Sequence, residues 1–239
     1  MTKEIVDPQQ WESDLAADAK EEIVQENKSG SSGYLSTKNK TFSLGDDDLG
    51  TEIDVVIVDT VFEHAFYDRA YDPDTRTPPA CFAIGKHEET LEPHPDSPLP
   101  QSDNCKTCPN NEFGSALVGK GKACKNNRRM ALLAYGEDGL STDQLVVLRI
   151  APTSLKPYAV YAKGIASKLK RPTYAVVTTM SFDSSKQYPL VKHRMRAELE
   201  IDDIVIVQNI RHDNKELLLE PYDVTGYEPL ADPKKSKMS

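Results

Sequence analysis

Nowhere in the chain do eighteen apolar residues run together, so no helix is expected to span a membrane. The start, Met1-Thr2-Lys3-Glu4, turns acidic without the apolar core of a signal peptide, which points away from secretion. Apolar material is scarce: 38% hydrophobic residues and one Trp stand against 28% charged residues in 239. Part of such a chain is expected to lie outside any packed core. Catalytic patterns are missing as well. No Ser-His-Asp set or paired-carboxylate motif can be identified, and Asp54 and Asp59, at odd spacing on one expected strand, should point to opposite faces. Enzyme activity is therefore not expected.

What is present is an uneven charge distribution. The net charge is −9, yet residues 105–196 hold 16 lysines and arginines against 5 acids. Residues 1–104 hold 8 against 23, and residues 197–239 hold 5 against 10. A basic middle between acidic flanks suits an anionic partner met by one face.

Residues 1–50 offer little to pack. Trp11, Leu15, Ile23 and Val24 suit a short helix over 9–26, and Lys28-Ser29-Gly30-Ser31-Ser32-Gly33 has a flexible-linker composition. Asp46-Asp47-Asp48 closes what reads as a mobile acidic arm, an interaction tail for replication proteins or a mimic of nucleic acid. The β-branched run 53–62 predicts a strand, and 80–84 a second. Residues 86–128 show hardly any apolar periodicity. A compact domain rarely carries so long a loop unless something staples it. Residues 130–135 and 144–150 then predict a hairpin. Helical spacing predicts a helix over 155–169, capped by Ser154 and stopped at Arg171-Pro172. Strands over 174–182 and 189–199 and a helical segment over 202–219 follow, and the tail 229–239 is polar. This order fits a mainly β, α+β fold: an OB-like antiparallel barrel over 51–228 with two helices, a generic α+β sandwich being the alternative.

The staple is expected at Cys81, Cys105, Cys108 and Cys124. Cys105-Lys106-Thr107-Cys108 has the spacing that brings two thiolates to one tetrahedral metal from a tight knuckle. Cys124 lies within reach for a second pair, and Cys81 ends a strand. One structural zinc would close residues 81–128 and replace the missing core. Disulfides and a redox Cys-x-x-Cys remain alternatives, as do His87 or His94 in place of Cys81. Residues 114–121 approach a phosphate-binding loop, but Gly121 stands where Ser or Thr should bind magnesium, and no strand precedes them.

Lys120, Lys122, Lys125, Arg128 and Arg129 surround Cys124. Lys192, Arg194 and Arg196 alternate along a strand and share one face, where like charges repel unless an anion lies across them. Phe62 and Phe66 are expected in the core. Tyr67 and Tyr71, among Asp and Arg, are expected at the surface, where tyrosines can stack on bases.

Four stretches together resemble a family of tailed-bacteriophage proteins, largely uncharacterised: Pro79-Ala80-Cys81-Phe82-Ala83, Pro93-His94-Pro95-Asp96-Ser97-Pro98, residues 105–115 and residues 119–126. That family is similar to phage single-stranded DNA-binding proteins of the OB-fold type, and the resemblance spans roughly residues 50–225. It implies single-stranded DNA as partner, DNA replication or recombination as setting, and the cytoplasm of the infected bacterial host as location. One departure stands out. Many such proteins end in an acidic partner-recruiting tail, whereas this chain ends with Lys234, Lys235 and Lys237.

Overall fold

The computed structural model describes residues 33–69, 77–116 and 119–229. The expected helix over 9–26, linker residues 28–32, Tyr71 and tail residues 230–239 lie outside the described residues. No helix among the described residues is long and apolar enough to cross a membrane.

Among the described residues the fold is mainly β, a curled, half-barrel sheet with two helices. Its axis is the β-branched run Glu52–Phe66, which we label β4. At about 3.3 Å per residue this strand is roughly 50 Å long, enough to serve two parts of the sheet. Its first residues pair with Val176–Phe182 (β9), its last with Cys81–Gly85 (β5), and Lys125–Gly136 (β6) runs antiparallel along its other side. Beyond β6 comes Val146–Ile150 (β8), and beyond β9 comes Val191–Glu198 (β10). The two-residue strand Gly139–Leu140 (β7) folds back on the end of β6.

A bulge lies at Val58: Ile57 pairs with Leu132 and Asp59 with Ala131, leaving one extra residue. A one-residue slip exchanges the faces of everything that follows. Before it, Val55 and Ile57 join the inner core with Leu132, Leu148 and Met180; after it, Val61 joins the outer core with Val56 and Val58. The same slip corrects the expectation for the two aspartates. Asp54 and Asp59 share the outer face, each beside its own cation, Arg196 and Lys86.

Residues 34–50 are part of the sheet, not a mobile arm. Tyr34–Ser36 (β1), Phe42–Leu44 (β2) and Asp47–Gly50 (β3) form an antiparallel ribbon, and β1 pairs parallel with β8, so the sheet is mixed. Phe42 is fully buried and stacks on Phe182 with ring centroids 4.5 Å apart. The acidic turn at Asp46-Asp47-Asp48 stays exposed.

Helix α1, Pro152–Leu169, lays Tyr158 into the inner core. It starts earlier than expected because Pro152, lacking an N–H, suits a first helical turn. Ser154 is therefore not its cap. Its hydroxyl accepts the backbone N–H of Val191 at 2.9 Å and ties the helix to β10. Lys170, in the left-handed region (φ 56°), ends it before Arg171-Pro172. Helix α2, Ile201–Asp213, opens on Asp202 and Asp203, which suit the positive end of its dipole. It is shorter than expected, and residues 214–229 continue as turns that bury Leu218 against the outer core.

Candidate functional site

Among the described residues of 86–124 there is no strand, yet they are tied down. His94 and Leu99 donate backbone hydrogen bonds to Phe82 and Ala80, both at 2.7 Å, so the insertion docks along β5. Cys105 donates to Leu91 at 3.0 Å and Cys124 to Asn110 at 2.8 Å. Buried Leu91, Cys105 and Ala83 make a small satellite core.

Cys81, Cys105, Cys108 and Cys124 are all free thiols, and all four line one cavity of ≈ 20 Å³, room for a single small sphere. Burial, aided by the charge of the other cysteines, pushes Cys105 and Cys124 up to about 12, and burial also raises Cys81. The thiols thus feel one another across a common space. They do not close into a ligand set: among the described residues no group of three or more His, Cys, Asp or Glu side chains is arranged to hold a metal ion.

Neither histidine expected as an alternative ligand lines the cavity. His94 stacks on Phe82 at 4.9 Å, and His87 is exposed ahead of a short turn. His64 does line it, and sequence reading missed it. Its side chain is 3% exposed, neither ring nitrogen has a hydrogen-bond partner, and burial lowers its pKa to about 4. The signal was the alternation Phe62, His64, Phe66 after the bulge. Those two phenylalanines are half-buried, Phe66 against the thiol cavity and Phe62 against the satellite core.

The basic residues divide into three groups. Around Cys124, Lys120 and Lys125 are exposed, whereas Lys122 donates to Asn111 at 3.0 Å and lies 5.2 Å over the Phe113 ring. Arg128 stacks 3.9 Å above Phe62, half-buried. Arg129 cannot meet DNA in this fold: it is 1% exposed, paired with fully buried Glu63 at 2.5 Å, and donates to the carbonyls of Leu218 and Glu220. Arg149 completes that cluster, 2.5 Å from Glu63, and the Tyr222 ring lies 5.2 Å and 5.1 Å from the two guanidinium groups. Tyr67 borders the same cluster, partly exposed.

On β10, Lys192, Arg194 and Arg196 are exposed. The anion that lies across them is in part the chain's own. Arg196 reaches Asp54 at 2.6 Å, and Asp54 also accepts the Thr179 hydroxyl at 2.6 Å. This row and the thiol-side lysines do not meet. Lys192 stands opposite Ser181, which faces Glu52 at the start of β4, whereas Lys125 pairs with Ala65 near its end. Those positions are roughly 40 Å apart along the strand at its usual rise. Compared with protein-family models, curated proteins and solved structures, the chain matches none.

Proposed function

We propose that the chain is a non-catalytic single-stranded DNA-binding protein on an OB-like barrel, with one structural zinc held by Cys81, Cys105, Cys108 and Cys124. The observation that carries the reading is the exposed Lys192–Arg194 row on curved β10, beside a hydroxyl-lined strand, β9. The connectivity supports the barrel. Strands β4, β6 and β8, helix α1, then β9 and β10 follow the order of a five-stranded barrel with one helix between its later strands. In such barrels the loops after the first and fourth strands bind oligonucleotides. Here those loops are the thiol-bearing insertion and residues 183–190. The outer face of β6 and β8 is covered by α2 and by residues 217–222, so the strand is carried on the β9–β10 side.

A buried thiol at about 12 stays protonated at neutral pH. Zinc supplies the charge that keeps four such sulfurs deprotonated, and folding energy with it. Native mass spectrometry is expected to find one zinc per chain; a metal-free, folded protein would remove this part of the proposal. The resemblance to phage proteins adds the setting, replication or recombination in the cytoplasm of an infected bacterium.

Fluorescence anisotropy with labelled oligonucleotides at two salt concentrations tests the DNA reading. Single-stranded DNA is expected to bind and to weaken steeply with salt, because neutralised phosphates release counterions. No signal, or equal signals with single and double strands, would refute it. A second reading, a zinc-stapled adaptor for a phage or host protein, draws on α2, where Ile201 is 73% and Val205 50% exposed. Capture from lysate that survives nuclease treatment would favour it.

A further inference from the structure

An open groove of ≈ 450 Å³ lies where the β1–β2 turn approaches the start of β4 and the end of β9. Of its cations the sequence marked only Lys192, because Lys40 and Lys186 sit in stretches that read as acidic or as turn. Lys40 lies on one side; Glu52, Ser181, Phe182 and Ser184 complete the wall. Ser184 opens the loop between β9 and β10, in which Lys186 and Tyr188 follow, both exposed, Tyr188 at 44%. Lys192 sits opposite Ser181 in register.

Two features of the local backbone hold this arrangement. Asn39 and Lys40 are consecutive non-glycine residues in the left-handed region, φ 55° and 57°, a conformation that costs energy and persists where surroundings enforce it. Lys40 Nζ then donates to the carbonyl of Lys186, clamping the turn to the loop. Phe182 is fixed from behind by Phe42. The nearby Asp183 carboxylate is occupied by the backbone N–H and hydroxyl of Ser185, which also hold its pKa below the usual range.

We propose that this groove receives one nucleobase of a bound single strand, with flanking phosphates on Lys186 and Lys192. The proposal rests on the DNA-binding reading and deepens it. The volume lies within the range of small-ligand sites. An aromatic wall and an exposed tyrosine suit a base face, which any base offers. The hydroxyls accept or donate at a base edge. The Glu52 carboxylate only accepts, so it favours bases with an exocyclic amino group, as carboxylates do with cytosine N4.

The test uses the full chain and labelled oligo-dC and oligo-dT in anisotropy titrations. Tyr188→Ala is expected to weaken binding to both about tenfold, and Tyr188→Phe, which keeps the ring, to bind as the wild type does. Lys186→Ala is expected to lower the salt slope by about 0.7, the contribution of one phosphate on a single strand. Glu52→Gln, which can also donate, is expected to narrow the preference for oligo-dC over oligo-dT. All three side chains altered are exposed, and circular dichroism confirms each fold. Wild-type binding with Tyr188→Ala and Glu52→Gln unchanged would overturn the groove alone and leave the DNA reading standing. Absence of binding by the wild type would overturn both.

Discussion

Phe42 decides whether the residues before β4 belong to the fold. Its side chain is fully buried in the inner core among Leu35, Met180 and Val191, and its ring lies against Phe182. Truncation to alanine removes a whole aromatic group and leaves a cavity that strand neighbours can only partly fill. Core Phe→Ala changes of this kind cost about 3–5 kcal/mol. A domain's whole stability is roughly 5–15 kcal/mol, so Phe42→Ala is expected to remove about a fifth of it or more. Urea unfolding followed by circular dichroism measures the difference, read as a lower midpoint at similar slope. Asp47→Ala, on the neighbouring strand β3 and exposed, is the control and is expected to stay within about 0.5 kcal/mol. If Phe42→Ala also cost less than about 1 kcal/mol, residues 34–50 would not be packed as described, and the inner core would have to form without them.

Three further outcomes are expected. Glu63→Gln leaves buried Arg129 without its carboxylate and is expected to destabilise by about 3–5 kcal/mol in urea unfolding. Arg194→Ala is expected to reduce the salt slope of single-strand binding by about 0.7, and Arg196→Ala by less, because Asp54 already engages that guanidinium. His193, packed between Tyr158 and Tyr161 with neither ring nitrogen bonded, has its pKa lowered by burial to about 4. The unfolded chain, titrating near 6.5, then binds the extra proton between those values, so stability is full above pH 6.5 and falls as pH drops toward 4. Urea unfolding at pH 7 and 4.5 is expected to show a loss of roughly 2–3 kcal/mol from this group, absent in His193→Phe; equal slopes in the two proteins would refute it.

The elements that could be read from sequence are those long enough to repeat. The β-branched run of β4, the hairpin of β6 and β8, the apolar stripe of α1 and the strands β9 and β10 each carry several turns of their period. Strands β1, β2 and β3 have three or four residues apiece, too few to show alternation, so Leu35 and Phe42 form no recognisable pattern in an acidic segment. The Val58 bulge has no signature in residue type, yet it decides which face Asp59, Glu63 and His64 take. Arg128 and Arg129 are neighbours of one chemistry. Only the partner opposite, Phe62 for one and Glu63 for the other, separates a half-exposed cation from a buried one, and Glu63 within an apolar strand was the available clue. The cysteine spacing predicts a four-thiolate zinc site; the structure brings all four thiols to one cavity but does not arrange them as a ligand set among the described residues. The clamp between Lys40 and Lys186 joins positions far apart in the chain, and no local pattern announces such a meeting.

The pairing of Tyr34 and Leu35 with Val147 and Leu148 spans more than a hundred positions. During synthesis the first ribbon leaves the ribosome long before the strand that receives it exists. Its two apolar anchors therefore wait unsheltered while more than a hundred further residues are made, and completion of the sheet is a late event, slow by topology and exposed to capture by chaperones.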